Sequence, residues 1–201
     1  MEPLKSEISQ GMPTSISIIR HAEKQLADQP PYSVSSEGKL DPESLTTRGW
    51  QRAGALIGLF VPRPGDHGAR ILSTPSHLFA SALGPHSQSR RPRETLQPLS
   101  DRLGLPINEQ FVQDDLDDLV NAILACDGHV VVAWEHKRIP LIANRLIGDA
   151  STVPQVWPDE RYDLVWVVEP DPSSGRLGLR QLPQLLLAGD RAELISVGAG
   201  S

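Results

Sequence analysis

The chain of 201 residues has a single cysteine, Cys126, so no internal disulfide can form. It has six histidines but no cysteine pair and no closely spaced histidine pair, which leaves a zinc site without support. No run approaches the 18 apolar residues that a membrane span needs. The opening stretch MEPLKSEISQGMPTS has no apolar block of the kind a secretory leader carries, so a cytoplasmic protein is expected. Positive charge is also short. The formal net charge is -6, which speaks against a nucleic-acid partner. There are no internal repeats.

What is present suits a globular enzyme. Hydrophobic residues make up 39% and charged residues 22%. Residues 1–14 are polar and hold two prolines, so they are expected to form a loose tail, with one domain over 15–195. Ser15–Ile19 reads as a buried strand, followed by a Pro- and Ser-rich loop over 25–44. Thr46 or Thr47 can cap a helix carrying Trp50, Ala53, Leu56, Ile57 and Phe60 at helical spacing, which Pro62 ends.

A second strand is expected at Arg70–Ser73, broken by Thr74-Pro75, and then a loop over 76–89 with one helical turn at most. Leu96, Leu99 and Leu103 mark a helix over 92–103 that Pro98 should kink or delay, with Gly104 as its cap. Asp114–Cys126 is the clearest helix. His129–Trp134 is a third strand, 138–147 a helix, Leu164–Val168 a fourth strand, and Leu185–Leu187 an edge strand. Strands that are continuous apolar runs and alternate with helices define an α/β fold. The expectation is a three-layer α/β/α sandwich around a mostly parallel central sheet.

In such sheets, ligands bind beyond the carboxyl ends of the strands. Ser15–Ile19 runs into Arg20-His21-Ala22-Glu23, and His129–Trp134 runs into Glu135-His136-Lys137. Arg90, Arg91 and Arg93 crowd into four positions after the second strand, a cationic spot in an acidic protein. Two histidines and several arginines therefore converge on one edge. Arginine's planar fork matches phosphate oxygens, and an imidazole can attack phosphorus directly. The set fits phosphoryl transfer, and with enough cationic groups no metal or other cofactor is required.

The same segments resemble a known family. ISIIRHAEK resembles the Arg-His-Gly motif that opens the histidine phosphatase superfamily, the phosphoglycerate mutase-like proteins. Leu45–Ala53 is similar to that family's L-T-x-x-G-x-x-R-A helix start, Arg91–Thr95 to its R-A-x-Q-T segment, and VVVAWEH to the strand that delivers its second histidine. The resemblance runs in the family's order from residue 15 to residue 136.

It implies a phosphoglycerate mutase-like fold and a metal-independent phosphatase acting on a phosphomonoester, either a small molecule or a phosphoprotein. His21 would become phosphorylated, and Arg20, Arg91 and His136 would bind the phosphoryl oxygens. Arg91 is preferred over its neighbours because it lies four residues before Thr95, as the family's arginine does. Three features depart from the pattern: Ala22 stands for the usual glycine, sixteen positions separate Pro75 from Arg91, and Glu135 precedes His136.

The general acid has no clear match. Glu135 and Asp115 are the candidates, the latter within the acidic stretch Asp114–Asp118, which also complements a helix dipole. Glu23 is expected to order the loop. Trp134, Trp157 and Trp166 are expected in the core or pocket wall, and His67, His77, His86 and His129 at the surface. Two other readings stay open: a mutase of the phosphoglycerate type, and a non-catalytic phosphate-binding module. A monomer or a dimer is expected.

Overall fold

The computed structural model describes residues 12–61 and 72–198. His67 and most of the expected N-terminal tail lie outside them. Of that tail, Thr14 is tied down, its N–H donating to the Gly128 carbonyl at 2.7 Å.

The chain forms the expected three-layer α/β/α sandwich. Its sheet has the order β5-β4-β6-β1-β7-β8, built from β1 (Ser15–Arg20), β4 (His77–Ala80), β5 (Ile107–Asn108), β6 (His129–Trp134), β7 (Leu164–Pro170) and β8 (Leu177–Pro183). Strands β5, β4, β6 and β1 run parallel to one another. β7 is antiparallel to both β1 and β8. Two short segments, β2 (Ser33–Val34) and β3 (Leu45–Thr46), pair separately.

Side-chain alternation along the strands splits the core in two. Ile16, Ile18, Val130, Val132 and Trp134 pack under α3 (Leu116–Leu124) and α4 (Ile139–Ile147). Ile19, Val131 and Ala133 point the other way, onto α1 (Thr47–Phe60) and α2 (Arg91–Leu103). Every one of these strand residues is fully buried, so between their end residues the two central strands are apolar on both faces apart from the buried Ser17. Two ion pairs at 2.6 Å tie α3 and α4 together: Asp114, just before α3, pairs with Arg138 at the head of α4, and Asp117 in the first turn of α3 pairs with Arg145.

Three expectations are corrected. The second strand is not Arg70–Ser73: residues 70 and 71 lie outside the described chain, and Leu72 and Ser73 are not strand. It is His77–Ala80, within the stretch expected to be a loop. Thr74-Pro75 breaks the chain before the strand rather than after it, and Leu78 to Ala80 supply the buried run. The true end of β4 lies much nearer Arg91 than Pro75 does, so the long spacing noted above shrinks. The edge strand is Leu177–Pro183, not Leu185–Leu187. A turn at Asp171, whose carboxylate accepts from the Ser173 and Ser174 N–H groups, folds it back on β7. Pro98 does not delay α2, which starts at Arg91 and runs through Pro98 to Leu103.

His129 is also not a surface residue. It is 2% exposed, with Nε2 2.9 Å from Ser17 Oγ and Nδ1 2.6 Å from the Ser73 carbonyl. The three tryptophans named above are core residues.

Candidate active site

His21 and His136 leave the carboxyl ends of neighbouring parallel strands. Arg20 pairs with Trp134 in the β1–β6 register, and the His21 N–H donates to the Trp134 carbonyl at 3.0 Å. The motif residues of α1 and α2 hold the loop that follows. Thr46 caps α1 by accepting from Gly49 N–H, and both its own N–H and its hydroxyl donate to the Glu23 carbonyl. A Cβ on Gly49 would stand 2.5 Å from that same carbonyl, so only glycine allows the helix to approach this closely. From the other side, the Thr95 hydroxyl accepts from Ala22 N–H at 2.8 Å and donates to the Arg91 carbonyl at 2.7 Å. The buried Glu94 carboxylate accepts from Ser44 Oγ and Leu45 N–H. The spacings L-T-x-x-G and R-x-x-x-T thus describe two clamps on the chain around His21.

The clamps fix the state of the imidazole. His21 Nδ1 lies 2.8 Å from the Ala22 carbonyl, an acceptor only, so Nδ1 carries the proton and Nε2 its lone pair. Burial, and then the neighbouring Arg20, push the His21 pKa well below the ordinary histidine value. The ring is neutral at neutral pH, with Nε2 free of any hydrogen bond among the described residues.

Arg20 is 1% exposed. One terminal nitrogen donates to the carbonyls of Asp159 and Arg161, the other to Tyr162 Oη at 3.1 Å, and its guanidinium carbon lies 3.9 Å from the Tyr162 ring centroid. Its Nε has no hydrogen-bond partner among the described residues. His136 is likewise buried, and neither ring nitrogen makes a well-directed hydrogen bond among the described residues. Asp159 Oδ1 stands 2.5 Å from His136 Nε2 but off the axis a ring N–H would point along. Burial first, then Arg20, lower the His136 pKa to about 4, against the pull of Asp159. With the ring neutral at pH 7, the contact is not a full ion pair.

The three clustered arginines separate. Arg90 pairs with Asp41 and Arg93 with Glu109, all at the surface. Arg91 is half-buried and close enough to His21 and Lys24 to lower the pKa of each. Its own N–H groups are occupied by Pro42 and Ser44 carbonyls, Ser89 Oγ and the Glu43 carboxylate. Of the two acid candidates, Glu135 lies in the field of Arg20 and Lys24. Asp115 turns back on its own loop to accept from Val112 N–H and touches no residue of the site.

Three residues of the site escaped the sequence reading: Lys24, Asp159 and Tyr162. Lys24 lies directly beside the histidine motif and was legible as a cation there. Asp159 and Tyr162 come from the loop before β7. Below the site, Arg52 on α1 binds Glu23 and Asp190 together, at 2.8 and 2.7 Å. Beside it opens a cavity of about 810 Å³. Its wall includes Lys24, Asp159 and Tyr162 but neither histidine, so these three residues form the border between cavity and histidine site.

No family model and no curated protein matches the chain. Solved structures similar to it include the proposed phosphohistidine phosphatase SixA from Agrobacterium tumefaciens, 14% identical over 84% of this chain and 97% of that one, with a TM-score of 0.49. Phosphoglycerate mutase from Plasmodium falciparum is 10% identical over 90% and 97%, with a TM-score of 0.44. YhfR of Bacillus stearothermophilus is 12% identical over 82% and 94%, with a TM-score of 0.43.

Among the described residues, no helix is long and apolar enough to cross a membrane.

Proposed function

We propose that the chain is a phosphatase that takes the phosphoryl group of a phosphomonoester onto His21 Nε2 and then releases it to water. One observation carries this reading. Four buried side-chain nitrogens lack a hydrogen-bond partner among the described residues, and three belong to Arg20 and His136 beside His21. Buried polar atoms are almost always paired, so the unpartnered Arg20 Nε–H and the one N–H that a neutral His136 carries mark a spot suited to a ligand that accepts hydrogen bonds. Next to a neutral imidazole with a free lone pair, and in the field of Arg20, Arg91 and Lys24, that ligand is a phosphoryl group.

In this reading, Arg20 Nε and His136 hold equatorial oxygens while Arg91 adds positive potential. The loop carbonyls bound to Arg20 keep its guanidinium from turning away. The adjoining cavity takes the alcohol part of the substrate, a small molecule or a phosphorylated side chain. The protein groups supply the positive charge, so EDTA is expected to leave turnover unchanged.

The deciding experiment is acid-quenched labelling with a mass-tagged phosphoryl donor. The wild-type chain should yield an acid-labile, base-stable label on the peptide holding His21, and His21→Ala none. Tight phosphate binding without any label would turn the reading to a binding module.

Arg91 gives a second test. Arg91→Ala should cost on the order of 3 kcal/mol of transition-state stabilisation, as for loss of one preorganised charge-stabilising group. That is about two orders of magnitude in kcat/KM. Arg90→Ala and Arg93→Ala should leave kcat/KM nearly unchanged, because their partners are at the surface. A larger loss from either neighbour would move the phosphate arginine off position 91.

A further inference from the structure

Asp115 turns away from the site, Glu135 makes no side-chain hydrogen bond or ion pair with it among the described residues, and the structure offers a further carboxyl group. Five carboxylates border the cavity: Glu23, Asp159, Glu160, Asp163 and Asp190. Glu23 and Asp190 are both held by Arg52. Asp163 is held by Arg161 and by the Arg191 N–H, and Glu160 pairs with Arg191. Among the described residues, His136 is the one side chain that pairs with the Asp159 carboxylate, and the Asp159 side chain is 84% exposed, free to exchange protons with water. It alone of the five both borders the cavity and contacts a histidine of the proposed phosphoryl site.

A phosphoryl group on His21 with its alcohol in the cavity places the bridging ester oxygen at that border. Resting on the phosphatase reading above, we infer that Asp159 is the proton donor to the leaving group. Its carboxylate sits on His136 in the empty site, and an incoming phosphoryl group displaces it to the bridging oxygen.

Electrostatics allow the change of role. In the empty site His136 first, and then Arg20 and Lys137, stabilise the carboxylate form of Asp159. A bound phosphate dianion offsets the charges of Arg20 and Lys137 and adds a like charge, both of which favour the protonated acid. In the first half-reaction the His21 Nε2 lone pair forms the N–P bond. The P–O bond breaks with its electron pair on the ester oxygen, which takes the proton from Asp159. In the second, water attacks phosphorus and gives a proton to the Asp159 carboxylate. The P–N pair returns to His21, and inorganic phosphate leaves.

The test compares two esters of nearly equal size. Nitrophenolate is a stable anion and departs without a proton, whereas phenolate from phenyl phosphate gains from one. Asp159→Asn should lower kcat/KM on phenyl phosphate, which reports the phosphorylation step alone, on the order of a hundredfold, within the usual contribution of a general acid, and lower kcat/KM on p-nitrophenyl phosphate, whose leaving group needs no proton, far less. Asp159→Glu, which keeps the acid, should recover part of the phenyl phosphate rate. Equal slowing of both esters, or no effect on either, would overturn the role of Asp159 and leave the phosphatase reading standing. A wild-type chain that turns over neither ester would remove both.

Discussion

His21→Ala should lower kcat on p-nitrophenyl phosphate by roughly a million-fold, the loss seen when an enzyme's nucleophile is removed. The size follows from how much of the site serves that one nitrogen. Proton placement is settled by the Ala22 carbonyl, which claims Nδ1–H and leaves the lone pair at Nε2. Burial and Arg20 keep the ring unprotonated through neutral pH, so no fraction of the enzyme is lost to the imidazolium form. Alanine keeps the cationic pocket and so should still bind phosphate, but it has no atom that can form the P–N bond. The variant should also fold. The backbone contacts of the segment, His21 N–H to Trp134 and Ala22 N–H to Thr95, do not depend on the imidazole. Steady-state kinetics with circular dichroism on the same samples decide the point. A fall of only about tenfold, with the fold intact, would place the nucleophile elsewhere.

Much of this site could be read in the chain because its parts are local. Ser15–Arg20 and His129–Trp134 are buried on both faces, so apart from Ser17 and His129, which bond each other, their interiors are apolar, and each runs on into one of the two histidines. The Thr46 cap and the stripe of α1 are equally local. Other parts depend on partners distant in sequence. RILS and HLFA look alike as strand candidates, and what selects the second is its pairing of His77 to Ala80 with Val130 to Ala133. β8 is half-exposed along its length and carries arginine and glutamine, so no apolar run announces it. Asp159 and Tyr162 belong to a Pro-rich loop with no motif. They reach the site only because carbonyls of that loop bind Arg20, more than a hundred residues earlier. Nor could the sequence show which cation of the Arg90–Arg93 cluster turns inward. The surface carboxylates that hold Arg90 and Arg93 come from separate segments, Asp41 and Glu109.

The second large effect concerns stability. Arg52→Met should destabilise the fold by roughly 3 kcal/mol, the lower end of what removing one partner from a buried ion pair costs. Arg52 is 2% exposed, and its guanidinium donates to Glu23, Asp190 and Gln184 Oε1. Burial alone would lower the Arg52 pKa, but the bonds to Asp190 and Glu23 outweigh it and raise it above the ordinary value. On the other side, burial works to raise the Asp190 pKa, yet Arg52 and the Leu187 and Leu186 N–H groups hold it near 2.

Methionine fills much of the same space and leaves two carboxylates short of their main cation. Arg48, within 3.1 Å of Glu23 and 3.5 Å of Asp190, compensates only in part because its side chain is largely in solvent. In urea the midpoint should fall by about 1 M or more, given slopes of roughly 1–3 kcal/mol per molar for small proteins. Adding Glu23→Gln and Asp190→Asn to Arg52→Met should recover part of the loss, because the uncompensated charges are then gone. An unchanged midpoint in the single variant would show that the three charges merely offset their own desolvation. Because Glu23 is two residues from His21, the same variant should also lower kcat, and the triple variant should restore stability more fully than turnover.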